Sequence, residues 1–140
     1  MSVEIGITED LASCHLLRRI VFIEEQGVSE ADELDDLDEI SVHFLATHDD
    51  LPIGTARMRV FDETAKIGRV CVLKSHRGTG LGAALIRAAV DAARITPGVR
   101  FAKLGAQVHA LGFYEKLGFI VQGPVYDDAG IDHRDMVLPL

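Results

Sequence analysis

The sequence predicts a mixed α/β fold in which an antiparallel meander of strands is followed by an αβαββ run. Three observations carry this reading. Apolar residues alternate with period two through three consecutive segments, "SVHFLATH", "IGTARMRVFD" and "KIGRVCVL", separated only by short turns. An alanine-rich segment, "LGAALIRAAVDAAR", then changes the period to that of a helix. Beyond it, strand-like and helical segments alternate, the pattern of crossover connections.

The elements follow in order. "SVEIGI" (Ser2–Ile7) alternates and reads as a first strand. Thr8 fits a helix N-cap, with Glu9 and Asp10 ahead of Leu11. "LASCHLLRRIVFIEEQ" then reads as one helix ended by Gly27, with Leu16, Ile20 and Ile23 on one apolar line and Leu17 and Val21 beside it. The acidic stretch after it is expected to be a loop with a short helical piece. The meander occupies Ser41–His48, Ile53–Asp62 and Lys66–Leu73, with turns at "DDLP" and "ETAK". In its middle strand Ala56, Met58 and Val60 share one face, and Thr55, Arg57, Arg59 and Phe61 the other. Helix Leu81–Arg94 presents Leu81, Leu85, Ala88, Ala89 and Ala92, and "TPG" stops it. "VRFAKLGAQ" is a strand, and "HALGFYEKLGF" a short helix ending at Gly118. "FIVQG" and "HRDMVLPL" are two last strands joined by the hairpin-like "PVYDDAGID".

At 140 residues the chain fits one domain, 1–140, without repeats or linkers. No apolar run approaches the ~18–20 residues of a membrane span. "MSVEIGITED" has neither a basic n-region nor an apolar h-region, and Cys14 and Cys71 sit among apolar neighbours. The expectation is a cytoplasmic chain with no disulfide framework, no metal site and no membrane contact. The net charge is −8, and nine of the 22 acidic residues lie between Glu24 and Glu39, where there is no basic residue. The remaining 13 stand against 14 basic residues, so no basic stripe exists to meet nucleic acid. The acidic run reads either as a solvated loop or as a rim that attracts a cationic substrate.

The chemistry is concentrated where a strand runs into "HRGTGLGAAL". Gly78, Gly80 and Gly82 let consecutive backbone N–H groups turn inward, and the helix start adds unpaired donors and a partial positive charge. That is a site for a pyrophosphate. A P-loop needs Gly-Lys-Ser/Thr, but Ala83 and Ala84 follow Gly82. A dinucleotide fingerprint is matched literally by Gly78-x-Gly80-x-x-Ala83, yet it falls after a meander, and the next strand ends without an acid. "DELDDLD" lacks the order of a calcium loop. Cys71, on an apolar strand, has no base to make it a nucleophile.

The third pattern, Arg/Gln-x-x-Gly-x-Gly/Ala, is matched by Arg77, Gly80 and Gly82. With the preceding "GRVCVL", the alanine-rich helix and the later "AQVHALGFYEKLGF", the chain resembles the GNAT N-acetyltransferase superfamily. In the second motif Gln107 stands where that family commonly has Asn, while Ala110, Phe113, Tyr114, Gly118 and Phe119 fill the other places. "RRIVFIEEQGV", "ELDDLDEISVHFLA" and "GIDHRDM" narrow the resemblance to the ElaA-like branch.

The resemblance implies an acyl-CoA N-acyltransferase fold with acetyl-CoA as co-substrate. Its pyrophosphate would sit on the backbone from Arg77 through Gly78, Thr79, Gly80, Leu81 and Gly82 to Ala83. The pantetheine arm would pair with the Val70–Cys71–Val72 edge, and Lys74 and His76 would lie near the peripheral phosphates. Tyr114 would protonate the leaving thiolate. For the base, Glu25 stands first and His43 second, with an ordered-water relay as the alternative. Asp35, Asp38, His43 and His133 join Glu25 as candidates for the acceptor pocket. The resulting expectation is transfer of an acetyl group to a primary amine of a small molecule or protein. The alternative is a CoA-binding sensor without turnover. A homodimer is implied by resemblance alone.

Overall fold

A computed structural model describes residues 3–140; Ser2, the expected start of the first strand, lies outside them. Seven strands form one sheet in the order β1-β2-β3-β4-β5-β7-β6. They are β1 (Val3–Thr8), β2 (Val42–His48), β3 (Leu51–Phe61), β4 (Thr64–Val72), β5 (Phe101–Gln107), β6 (Ile120–Asp128) and β7 (Ile131–Pro139). Every neighbouring pair is antiparallel except β4 and β5. The helices are α1 (Leu11–Arg18), α2 (Glu30–Glu33), α3 (Leu81–Arg94) and α4 (Leu111–Lys116). No helix among the described residues is long and apolar enough to cross a membrane.

The period-two alternation fixes which helix covers which face. Phe44, Ala46, Ala56, Met58, Ile67, Ala102 and Leu104 point to one side and pack with Leu85, Ile86, Ala89 and Ala93 of α3. Leu45 and Cys71 point to the other, against Leu17 and Val21. Gly54 lets α3 approach closely: a Cβ there would stand 3.0 Å from Leu85 Cδ1 and 3.1 Å from the Cys71 carbonyl. Helices thus cover both faces, α3 and α4 on one and α1 on the other.

Several element limits differ from the sequence reading. The N-cap of α1 is Asp10, whose carboxylate accepts from Ser13 N–H at 3.1 Å; Thr8 caps nothing and instead accepts from Asp10 N–H. The expected single helix changes to a π-helical segment, Arg19–Glu25, after α1. Cys14, Leu17, Arg18 and Val21 are buried while Leu16 is exposed, so the apolar line predicted through Leu16 is not the buried one. The turns are shorter than expected. Asp49 and Asp50 alone, both with positive φ, join β2 to β3, and Ala129-Gly130 joins β6 to β7. Most of "PVYDDAGID" is therefore strand, bent by an irregularity beside Gly123.

Candidate active site

The parallel pairing of β4 with β5 covers only Thr64–Lys66 against Phe101–Lys103. Beyond it the two strands part. β4 carries one extra residue at Arg69–Val70 opposite Ala56, with Arg69 at φ +50, which bends it further from β5. Leu73 N–H bonds the Ile53 carbonyl at 2.9 Å, so the alternation of an antiparallel ladder turns the Val72 backbone away from β3 and into the opening. The Val72 carbonyl there accepts from Arg77 Nε at 3.0 Å, and its N–H faces the opening without a strand partner. A notch of unpaired strand edge, open to both faces of the sheet, results.

On the α3 face, the chain leaves β4 and reaches the glycine loop. Gly78 and Gly80 have φ of +77 and +85, and Gly80 is the N-cap of α3. The first helical bond is Ala84 N–H to the Gly80 carbonyl, 3.0 Å, so Leu81, Gly82 and Ala83 N–H have no intrahelical acceptor. Thr79 Oγ1 donates to the His76 carbonyl at 2.6 Å and braces the turn. No atom stands within 4 Å of a Cβ built on Gly78 or Gly80, so the cradle is open. These are the features a pyrophosphate requires, and the loop fits that group. α4 lies alongside: a Cβ on Gly82 would be 3.7 Å from Phe113 Cζ. Tyr114 packs edge-to-face on Phe113 and Phe119, and burial raises its phenol above the ordinary value.

On the α1 face the notch opens into a cleft of about 410 Å³. Its floor is read directly from strand register: Arg57 pairs with Gly68, Arg59 with Lys66, Gln107 with His133, and His133 with Tyr126. Phe22 and Gln26, from the π-helical segment and its end, form the opposite wall, and Gln26 Oε1 accepts from Gln107 Nε2 at 3.1 Å. Tyr126 lies across Gly105, where any Cβ would collide with its hydroxyl, and donates to Asp135 at 2.8 Å. Val70 and Tyr114 line the same cleft, so it is continuous with the notch.

The structure brings some expected residues together and separates others. Val70, Tyr114, Asp35 and His133 line the cleft. Glu25, Asp38 and His43 do not. Glu25 forms a two-point ion pair with Arg77, 2.8 and 2.9 Å, whose hydrogen bond holds its carboxyl below the ordinary value and weakens it as a base. Arg77 is thereby committed to Glu25 and to Val72, and offers the loop its backbone rather than its guanidinium. His43 is 4% exposed and its Nε2 meets the Asp38 carbonyl at 2.9 Å. Asp38 takes hydrogen bonds from Arg18 (2.9 Å), His15 (2.8 Å) and Arg57 (3.0 Å). Burial alone would raise its carboxyl; these donors overcome that and depress it strongly. Asp35 is gripped by both Arg57 terminal nitrogens at 2.8 and 2.9 Å, which lowers it too. Lys74 and His76 form a single helical turn before the loop, and His76 Nε2 meets His48 Nδ1 at 3.0 Å.

Sequence reasoning missed the arginines. Arg18, 1% exposed, binds Glu33 at 2.5 Å, and Arg69 reaches the Glu33 carbonyl at 3.0 Å. The acidic run is neither a free loop nor a bare rim, because Arg18, Arg19, Arg57 and Arg69 tie it to α1 and the sheet. The available signal was Arg57 and Arg59, two cations on one face of a central strand.

Known proteins share this arrangement. A protein-family model described as an acetyltransferase (GNAT) domain matches residues 21–140. Escherichia coli protein ElaA is 34% identical over 124 residues, 86% of this chain and 81% of its own. Its crystal structure superposes with a TM-score of 0.87 over 98% of this chain and 99% of that one. An acyl-CoA N-acyltransferase from Pseudomonas aeruginosa superposes at 0.89 with 28% identity, covering 98% of this chain and 99% of its own. A GNAT acetyltransferase from Elizabethkingia anophelis, solved with acetyl-CoA bound, has the same fold at 0.76 and 16% identity, covering 99% and 98%. The parted strands, the glycine loop at the start of α3 and the family match over most of the sequence converge: the chain belongs to the GNAT acetyltransferase family, in its ElaA-like branch.

Proposed function

We propose that this protein transfers an acetyl group from acetyl-CoA to a primary amine of a small molecule or protein. The observation that carries the reading is the β4–β5 notch, which joins the glycine loop and Tyr114 on one face to a cleft lined by charged and polar side chains on the other. The loop amides from Gly78 to Ala83 would hold the pyrophosphate, and the Val70–Val72 edge would align the pantetheine arm. Acetyl-CoA, when bound, supplies an activated thioester. The chain's own contribution is orientation and proton handling. An N–H on the parted edge of β4 would be the donor for the thioester oxygen and would stabilise charge there. Tyr114, kept protonated by burial, delivers a proton to the departing sulfur. The acceptor enters from the α1 face. Of the acids there, Glu33 and Asp35 are already paired with arginines, so attraction of a cationic acceptor rests on Asp32 and Asp128.

Thermal shift with acetyl-CoA, CoA, NAD and ATP side by side tests the donor. Acetyl-CoA and CoA are expected to raise the unfolding temperature by several degrees, and NAD to leave it unchanged; the reverse order overturns the reading. Tyr114→Phe is then expected to lower kcat by 10–100-fold with acetyl-CoA affinity changed by less than threefold, read as CoA released against bound acetyl-CoA. Unchanged turnover would remove Tyr114 as the acid.

A further inference from the structure

We propose that His133 is the general base that removes the acceptor's proton, through its Nε2. The proposal rests on the transferase reading above. His133 lies on β7, on the cleft face of the sheet, between Gln107 of β5 and Tyr126 of β6. It is 9% exposed. Its Nδ1 is 2.7 Å from the Ile131 carbonyl. A carbonyl only accepts, so Nδ1 carries the hydrogen, and in the neutral ring Nε2 holds the lone pair. The ring is fixed in that orientation by stacking on Tyr126, 5.9 Å between centroids at 24°. Nε2 has no partner among the described residues.

A base needs this set of features: a defined tautomer, a fixed ring, a free nitrogen and a wall of the substrate cleft. Glu25 and His43 each lack the last of these, since neither lines the cleft, and the Glu25 carboxylate is also taken by Arg77. Acid and base then sit across the notch, Tyr114 on the α3 side and His133 on the α1 side. The proton balance closes. The ammonium form of the acceptor gives one proton to His133 Nε2, which passes it to solvent. The nitrogen lone pair forms the N–C bond as the C–S bond breaks. The sulfur takes the Tyr114 proton, and the second N–H proton restores the phenol.

His133→Asn tests this, because its side-chain amide can still donate to the Ile131 carbonyl while offering no base. Both proteins are assayed at one neutral pH with acetyl-CoA and two amine probes, benzylamine, which is protonated there, and methoxyamine, which is not. CoA release is read with a thiol reagent. The expected result is a loss of at least 100-fold in kcat with benzylamine, less than tenfold with methoxyamine, and an unchanged thermal shift by acetyl-CoA. Equal losses on both amines would mark a structural role and overturn the proposal, as would activity within threefold of wild type on benzylamine. If the wild-type chain binds acetyl-CoA but releases no CoA with either amine, the transferase reading fails and the base falls with it. Should His133→Asn not fold, nitrogen NMR of the wild-type histidine rings decides: protonated Nδ1 with bare Nε2 at His133 supports the assignment, and the opposite tautomer overturns it.

Discussion

Gly80→Val is expected to abolish acetyl-CoA binding while the sheet still folds. Gly80 has φ of +85 at the N-cap of α3, a conformation that a β-branched residue adopts only under strain of about 1–3 kcal/mol. No atom lies within 4 Å of the added Cβ, so the substitution meets no clash inside the protein. The chain relieves the strain by re-forming the turn, and the Leu81, Gly82 and Ala83 amides then lose their common focus. Hydrogen bonds to a charged group contribute roughly 1.5–3 kcal/mol each. Losing two of them costs about 3–6 kcal/mol, a fall of at least ~100-fold in affinity. Calorimetric titration with acetyl-CoA measures it, with circular dichroism as the control for folding. Affinity within threefold of wild type would mean that the loop does not hold the pyrophosphate.

The glycine loop and the meander were legible in the sequence because their physics is local. Gly78 and Gly80 take the positive φ that glycine allows, at the turn into α3 where the sequence places it, and the alternation of "SVHFLATH", "IGTARMRVFD" and "KIGRVCVL" specified β2, β3 and β4 within a few residues. The β2–β3 and β6–β7 turns came out shorter because paired left-handed residues, Asp49-Asp50 and Ala129-Gly130, close a hairpin in two residues. The acceptor side was legible only in part. Its floor is made of residues from β3, β4, β5, β6 and β7, whose adjacency depends on sheet order and register. The buried stripe of the first helix, Cys14, Leu17, Arg18 and Val21, keeps the helical spacing, but it runs through an arginine, whose burial depends on partners, Glu33 and Asp38, that lie 15 and 20 residues on. Glu25 follows the same logic: its place at the end of a helix was readable, but its pairing with Arg77, 52 residues on, was not.

Arg18→Ala is expected to be the most damaging single change to stability. Arg18 is 1% exposed, and it is bonded to Glu33, itself 5% exposed, and to Asp38. Removing the guanidinium leaves Glu33 as a buried carboxylate facing only the more distant Arg69 Nε, at 3.8 Å. Breaking one partner of a buried pair costs about 3–5 kcal/mol, which for a domain of this size lowers Tm by roughly 10–15 °C. Replacing Arg18 and Glu33 together, as Arg18→Met with Glu33→Leu, is expected to cost less than the two single changes summed, because no lone charge remains. The same network sets the acid limb of stability. Asp35 and Asp38 are depressed in the folded protein, so the stability they add is present above the ordinary Asp range, near 3.9, and is lost as pH falls below about 4. In Arg18→Ala, Asp38 keeps only His15 and Arg57, and less remains to be lost. Urea unfolding at neutral pH and at acid pH reads both effects: a lower midpoint at neutral pH and a shallower fall on acidification. An Arg18→Ala protein as stable as wild type at neutral pH would mean that Arg57 and Arg69 hold the acidic segment without Arg18.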